Sequence, residues 1–210
     1  MRAGKRFSVR KAAGLLFGQN ALFVLAILAV CVATPLHTAL LRAFGAAERS
    51  GFAWAEVEAI ARAMVDVMKG ADREILARWF TADEVLHMKD VQWIFGVGLK
   101  TLGALAVLSA LCLIGGKKPG PSEARAAFGL SLLLPATVAV PFAVDFNGMF
   151  IWLHRVAFPD NELWLMDPRI HKMVVVYDGQ FFIAAVAIIG IACALSIVPL
   201  AVYAVRGKEK

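Results

Sequence analysis

Four long apolar runs decide what this chain can fold into. Residues 17–41, 92–115, 128–153 and 179–205 are each long enough to cross a bilayer, which takes about 20 largely apolar residues in helical form. Inside hydrocarbon every backbone N–H and C=O must be satisfied within the segment, so each run is read as a helix. The first and last carry no Asp, Glu, Lys or Arg, the second carries Lys100 and the third Asp145. With 60% hydrophobic and 18% charged residues the chain is too apolar for an ordinary soluble domain. The expectation is an all-α integral membrane protein, one membrane domain over residues 1–210, with four transmembrane helices and a small helical extracytoplasmic cap between spans one and two.

Orientation follows from the basic residues near the span ends. With both termini inside, the cytoplasmic parts hold eleven Lys or Arg against two Glu, whereas 42–91 plus 154–178 holds ten against thirteen acidic residues. The formal charge of +6 therefore reports membrane topology, and no nucleic-acid partner is expected. The basic start followed by an apolar run looks like a signal peptide. The run exceeds the roughly 7–15 residues of a signal core, however, so the first span is read as uncleaved. Cys31, Cys112 and Cys193 fall in three different spans without a C-x-x-C and read as small buried hydrophobes.

The cap, residues 42–91, contains Trp54, Val57, Ile60, Ala61, Met64, Val67 and Met68 at helical spacing. Ser50 is positioned to cap that helix, Glu58–Arg62 and Arg62–Asp66 to support its polar face, and Gly70 to end it. The stripe must be buried against the outer leaflet, the span ends or both, and the plain reading is a helix lying on the membrane surface. A short helix over 72–80 follows. In the second outer loop, 154–178, the β-branched run 173–177 fits either an interfacial strand or an extension of span four.

The chemistry-bearing stretch is residues 81–91, TADEVLHMKDV. It opens with a capping box in which the Thr81 hydroxyl accepts from the Glu84 amide and the Glu84 carboxylate from the Thr81 amide. The helix so started places His87 and Asp90 on one face and runs on into span two. All four histidines, His37, His87, His154 and His171, fall near the outer ends of spans. Imidazole titrates near neutrality and suits proton transfer, although an interfacial histidine also serves as a plain amphipathic anchor. His87 and His154 stand out by their company: Asp90 one turn from His87, and Asn147, Phe146 and Phe150 on the face of His154. Trp79, Phe80, Trp93, Trp152, Phe158 and Trp164 crowd the same level, either as a membrane aromatic belt or as the wall of a dry pocket. Lys100 and Asp145 lie at matching depths, which suggests a buried ion pair between spans two and three.

These residues resemble a known family. Glu84-x-x-His87-Met88-x-Asp90-Val91 is similar to the E-x-x-H-M-x-D-V segment of the bacterial lipoprotein intramolecular transacylases (Lit). Asp145-Phe146, His154, Phe158, Trp164, Asp167-Pro168 and Phe181-Phe182 follow the family's second signature in order and spacing. The chain departs from the pattern at His171, where an acidic residue is usual, and near Tyr177-Asp178, where Pro-Glu is usual. The resemblance implies a four-span enzyme of the bacterial cytoplasmic membrane with its active site at the outer interface. It would move an acyl chain from the glyceryl sn-2 oxygen of a diacylated lipoprotein to the α-amino group of its N-terminal cysteine. By the family motif His87 and His154 would be catalytic; Asp90, Glu84, Asn147 and Asp145 are expected in support from their places in this sequence.

Attack by that amine closes an eight-membered ring, which forms poorly without restraint, so orientation in a tight pocket carries much of the catalysis. One imidazole removes a proton from the amine and the other protonates the leaving oxygen; which does which is open at this point. Neither metal nor other cofactor is required, and a monomer working on lipoprotein and membrane lipid is expected. Two other readings use the same residues: a membrane haem or metal protein with outer-face histidine ligands, and a non-catalytic membrane subunit.

Overall fold

The structure, a computed structural model, describes residues 7–206. Arg2, Lys5, Arg6, Lys208, Glu209 and Lys210, which enter the charge count above, lie outside the described residues. Four helices are long and apolar enough to cross a membrane: α1 (Val9–Cys31), α5 (Ala82–Leu113), α6 (Pro121–Val144) and α9 (Gly179–Arg206). Between α1 and α5 come α2 (Thr34–Ala43), α3 (Ala46–Ser50), α4 (Trp54–Met68) and a 3-10 turn over Arg73–Arg78; between α6 and α9 come α7 (Phe146–Ala157) and α8 (Met173–Val176). The described residues form two compact units. One combines α1 up to Ile27 with Leu99–Val144 and α9 from Gly190, and the other combines Leu28–Gly98 with Asp145–Ile189.

The first unit is a helix bundle closed by small residues and carbonyl caps. Gly14 and Gly18 sit four apart on α1, and a Cβ at either position would come within 2.8–2.9 Å of Leu113 or of the Ser109 hydroxyl of α5. Such close approach is how membrane helices gain van der Waals contact without a hydrophobic drive. The Ser109 hydroxyl donates to the Gly14 carbonyl at 2.8 Å. Lys11 Nζ donates to the carbonyls of Leu113 (2.6 Å) and Gly115 (2.7 Å), placing a cation on the negative end of α5. Gln19 reaches Ser196 at 3.0 Å and Arg125 the Ala204 carbonyl at 3.2 Å, tying α9 in.

The second unit is the cap with its own core. Val57, Ile60, Ala61 and Val67 of α4 are fully buried, with Leu41 of α2, Leu76 of the 3-10 turn, Val85 and Met88 of α5 and Val176 of α8 around them. Each fully buried aliphatic side chain of this size contributes about 1.5–3 kcal/mol. The apolar stripe of α4 therefore packs against protein, not against a membrane surface as expected, because α2 and the first turns of α5 carry matching apolar faces. Ser50 does not cap α4. Its hydroxyl donates to Ala46 O at 2.6 Å inside α3, and α4 starts instead with Glu56 accepting from the Ala53 amide at 3.1 Å. Glu58 pairs with Arg42 at 3.7 Å, not with Arg62. The 72–80 segment is a 3-10 turn whose Asp72 side chain accepts from the Glu74 amide at 3.0 Å.

Three expectations that involve the second half of the chain need correction. The run read as one span over 128–153 is two helices, broken at Asp145, whose backbone is non-helical (φ −145°, ψ 88°). Its carboxylate accepts from the Gly148 amide at 2.9 Å and starts α7 as an N-cap. Asp145 is exposed, and so is Lys100, so neither is a member of a buried ion pair; the carboxylate satisfies its own helix end instead. In the run 173–177, read as strand or span extension, Met173–Val176 form the single helical turn α8 and Tyr177 ends it. Asp178 then opens α9 by accepting from the Phe181 amide at 3.0 Å.

Candidate active site

The capping box fixes where His87 stands. Glu84 Oε2 accepts from the Thr81 amide (2.7 Å) and hydroxyl (2.8 Å), while the Thr81 hydroxyl accepts from the Glu84 amide at 3.4 Å. The other carboxylate oxygen accepts from the Met173 amide at 2.6 Å. Glu84 is wholly buried, so each oxygen needs such partners to offset the loss of water. One carboxylate thus starts α5 and also ties it to α8.

One turn on, His87 is buried, with the Phe158 ring edge-on at 5.2 Å and the His154 ring at 6.4 Å, measured between centroids. His154, late on α7, lies between Phe150 (4.0 Å), Trp164 (5.3 Å) and Phe158 (5.7 Å). Phe182 backs Phe150 at 5.5 Å and Phe146 stacks on it at 6.0 Å. Two imidazoles far apart in sequence thus share one aromatic box of Phe146, Phe150, Phe158, Trp164 and Phe182.

His154 Nδ1 lies 2.7 Å from the Phe150 carbonyl. A carbonyl only accepts, so Nδ1 carries the proton, and in the neutral ring Nε2 holds the lone pair. Burial pulls the His154 pKa below the usual histidine value, opposed in part by that carbonyl. The ring is neutral and basic at neutral pH. The Nδ1 atom of His87 is buried without a partner.

Asp90 does not hydrogen-bond His87; its carboxylate accepts from the Asn161 side-chain amide at 3.1 Å, joining α5 to the loop between α7 and α8. Asn161 is absent from the sequence reading, since a lone polar loop residue announces no partner. Asn147 is exposed on α7 and Asp145 caps that helix; neither stands with the histidines. Trp93 and Trp152 are 65% and 56% exposed, unlike the buried Phe158 and Trp164 of the aromatic box, as fits belt residues. Phe80 and Trp79 belong to the cap core around α4.

The two remaining histidines are placed differently. His37 is buried against Tyr177 (6.0 Å) and Phe181 (5.3 Å), and burial lowers its pKa. His171 Nδ1 accepts from the Asp167 amide at 3.0 Å within the loop between α7 and α8. Among the described residues no three His, Cys, Asp or Glu side chains gather as a metal-ligand set.

The family model described as lipoprotein intramolecular transacylase Lit matches residues 15–182. Comparison with curated protein sequences gives no match. A solved structure of Lit from Bacillus cereus superposes with a TM-score of 0.77 at 17% identity, covering 92% of this chain and 90% of that one. A histidine-to-arginine variant of the same protein gives a TM-score of 0.73 at 16% identity over 92% and 86% of the two chains. A histidine-to-alanine variant gives 0.73 at 18% over 93% and 89%. At these identities the superposition shows a shared fold.

Proposed function

Because the chain belongs to the lipoprotein intramolecular transacylase family, we propose that His87 and His154 share the proton transfers of its acyl-transfer reaction. The protein is a multi-pass membrane acyltransferase acting on lipoproteins. The observation that carries the catalytic reading is the pair of imidazoles, 6.4 Å apart between centroids, inside one aromatic box. The acyl chain moves from the sn-2 oxygen of diacylglyceryl-cysteine to its α-amino group.

Proton bookkeeping explains why two bases are useful. The α-ammonium, with a pKa of about 8, loses two protons on becoming a secondary amide, and the departing glyceryl oxygen gains one. His154 Nε2 takes the first proton. The amine then forms a bond to the acyl carbon, and His87 accepts the second proton from nitrogen. The ester C–O bond breaks and the proton on His87 passes to the glyceryl oxygen, so one proton is released overall. Rings of Phe150, Phe158 and Trp164 exclude water and restrain the medium ring that the reaction must close. Asp90, Asn161 and Glu84 hold the helix of His87 against the outer loop.

Both termini are placed in the cytoplasm and the histidine pair at the outer interface of the bacterial cytoplasmic membrane, by the basic-residue excess. The enzyme works as a monomer beside membrane lipid. The direct test is expression in a bacterium lacking the final lipoprotein N-acylation enzyme. Mass spectrometry of an N-terminal lipopeptide is expected to find the second acyl chain on the α-nitrogen. Lipopeptides that retain both glyceryl esters and a free amine would refute the assignment.

A further inference from the structure

Acyl transfer through a tetrahedral centre puts a full negative charge on the former carbonyl oxygen, and the two histidines already have work to do. Among the described residues seven buried side-chain nitrogen or oxygen atoms lack a hydrogen-bond partner. Only two of them belong to rings that abut His154: Nδ1 of His87 and Nε1 of Trp164. An indole N–H donates and never accepts. A buried N–H left unpaired is costly, and Phe would fill much of the same space without it.

We propose that the Trp164 indole N–H is the oxyanion donor of the reaction; the proposal rests on the histidine-pair reading above. Trp164 is 9% exposed and lies 5.3 Å from the His154 ring, inclined at 39°. An oxyanion donor must come within about 2.7–3.1 Å of the developing oxygen, and an indole ring centred 5.3 Å from the imidazole lets both rings serve substituents of a single acyl carbon. As the N–C bond forms, the carbonyl π pair moves onto oxygen and is met by the Trp164 N–H. When the C=O bond re-forms, the ester C–O bond breaks and the glyceryl oxygen leaves with the proton from His87. The dry aromatic surroundings strengthen such a bond relative to water. Its fixed position means that no reorganisation is needed as the charge develops.

The test is Trp164→Phe in the purified full-length enzyme, assayed with a synthetic diacylglyceryl-cysteine peptide beside His87→Ala and His154→Ala. Loss of one oxyanion donor lowers kcat about 10²–10³-fold, with KM and the melting temperature near the parent's. Should Trp164→Phe fail to fold, 3-benzothienylalanine at position 164 keeps the bicyclic shape with sulfur in place of N–H, and the same loss in kcat is expected. Activity within about threefold of the parent in a folded protein lacking the N–H, with the histidine variants inactive, overturns the donor role alone. Parental activity in the two histidine variants instead overturns the reading beneath it.

Discussion

The Glu84 carboxylate and the Met173 amide meet at 2.6 Å, so the residue that starts the helix of His87 also anchors the turn that leads into α9. Glu84→Ala leaves the Thr81 and Met173 amides without an acceptor in a buried setting. The expected cost is at least about 2 kcal/mol, read as a lower melting temperature in detergent. The Met173 amide is expected to lose hydrogen-exchange protection together with residues 173–177. Unchanged protection at Met173 would contradict the tie.

Asp145 provides a sharp contrast between an N-cap and a buried ion-pair partner. As a cap, Asp145→Asn is close to neutral, and Asp145→Ala costs about 1 kcal/mol. A buried pair would lose about 3–5 kcal/mol on removal of one partner. Thermal melts of the two variants distinguish these outcomes. A large loss in Asp145→Asn would overturn the capping role.

Much of this was legible in the sequence, for physical reasons that differ from residue to residue. Long apolar runs announce spans locally, and Thr81 with Glu84 announces a helix start within four residues. His87 and His154 could be singled out by their position at span ends. The break at Asp145 was not legible, because the apolar run continues through it and an acidic residue there fits both a buried pair and a cap. The partner of the α4 stripe was equally hidden. Periodicity identifies a face to be buried but not whether lipid or the turns of α2 and α5 will bury it. The Asp90–Asn161 bond joins residues that only the folded loop brings together.

The pH dependence of turnover carries the sign of the His154 shift. Burial favours the neutral ring, so its folded pKa lies below the usual value of about 6.5. The basic form persists as pH falls through 6.5 and is lost only below the folded value. The acid limb of kcat is therefore expected to have a midpoint under 6.5, measured with saturating lipopeptide. A midpoint at or above 6.5 would argue against His154 Nε2 as the proton acceptor.

The proposed topology, with both termini cytoplasmic, rests on eleven basic residues against two acidic ones in the segments assigned to that side. A tag at the C-terminus is expected to be shielded in intact cells, and a tag inserted near Ala71, between α4 and the 3-10 turn, to be reached from outside. The opposite pattern would move the histidine pair to the cytoplasmic face.

The central claim is that His87 and His154 act together, and one assay addresses it most directly. Purified His87→Ala and His154→Ala proteins are incubated with a diacylglyceryl-cysteine peptide, and the position of the acyl chain is read by tandem mass spectrometry over time. Each variant is expected to fall about 10²–10⁴-fold in rate while its melting temperature stays near the parent's. His37→Ala and His171→Ala are expected to lose much less. A folded His87→Ala or His154→Ala enzyme that forms the N-acyl product at close to the parental rate would contradict the account.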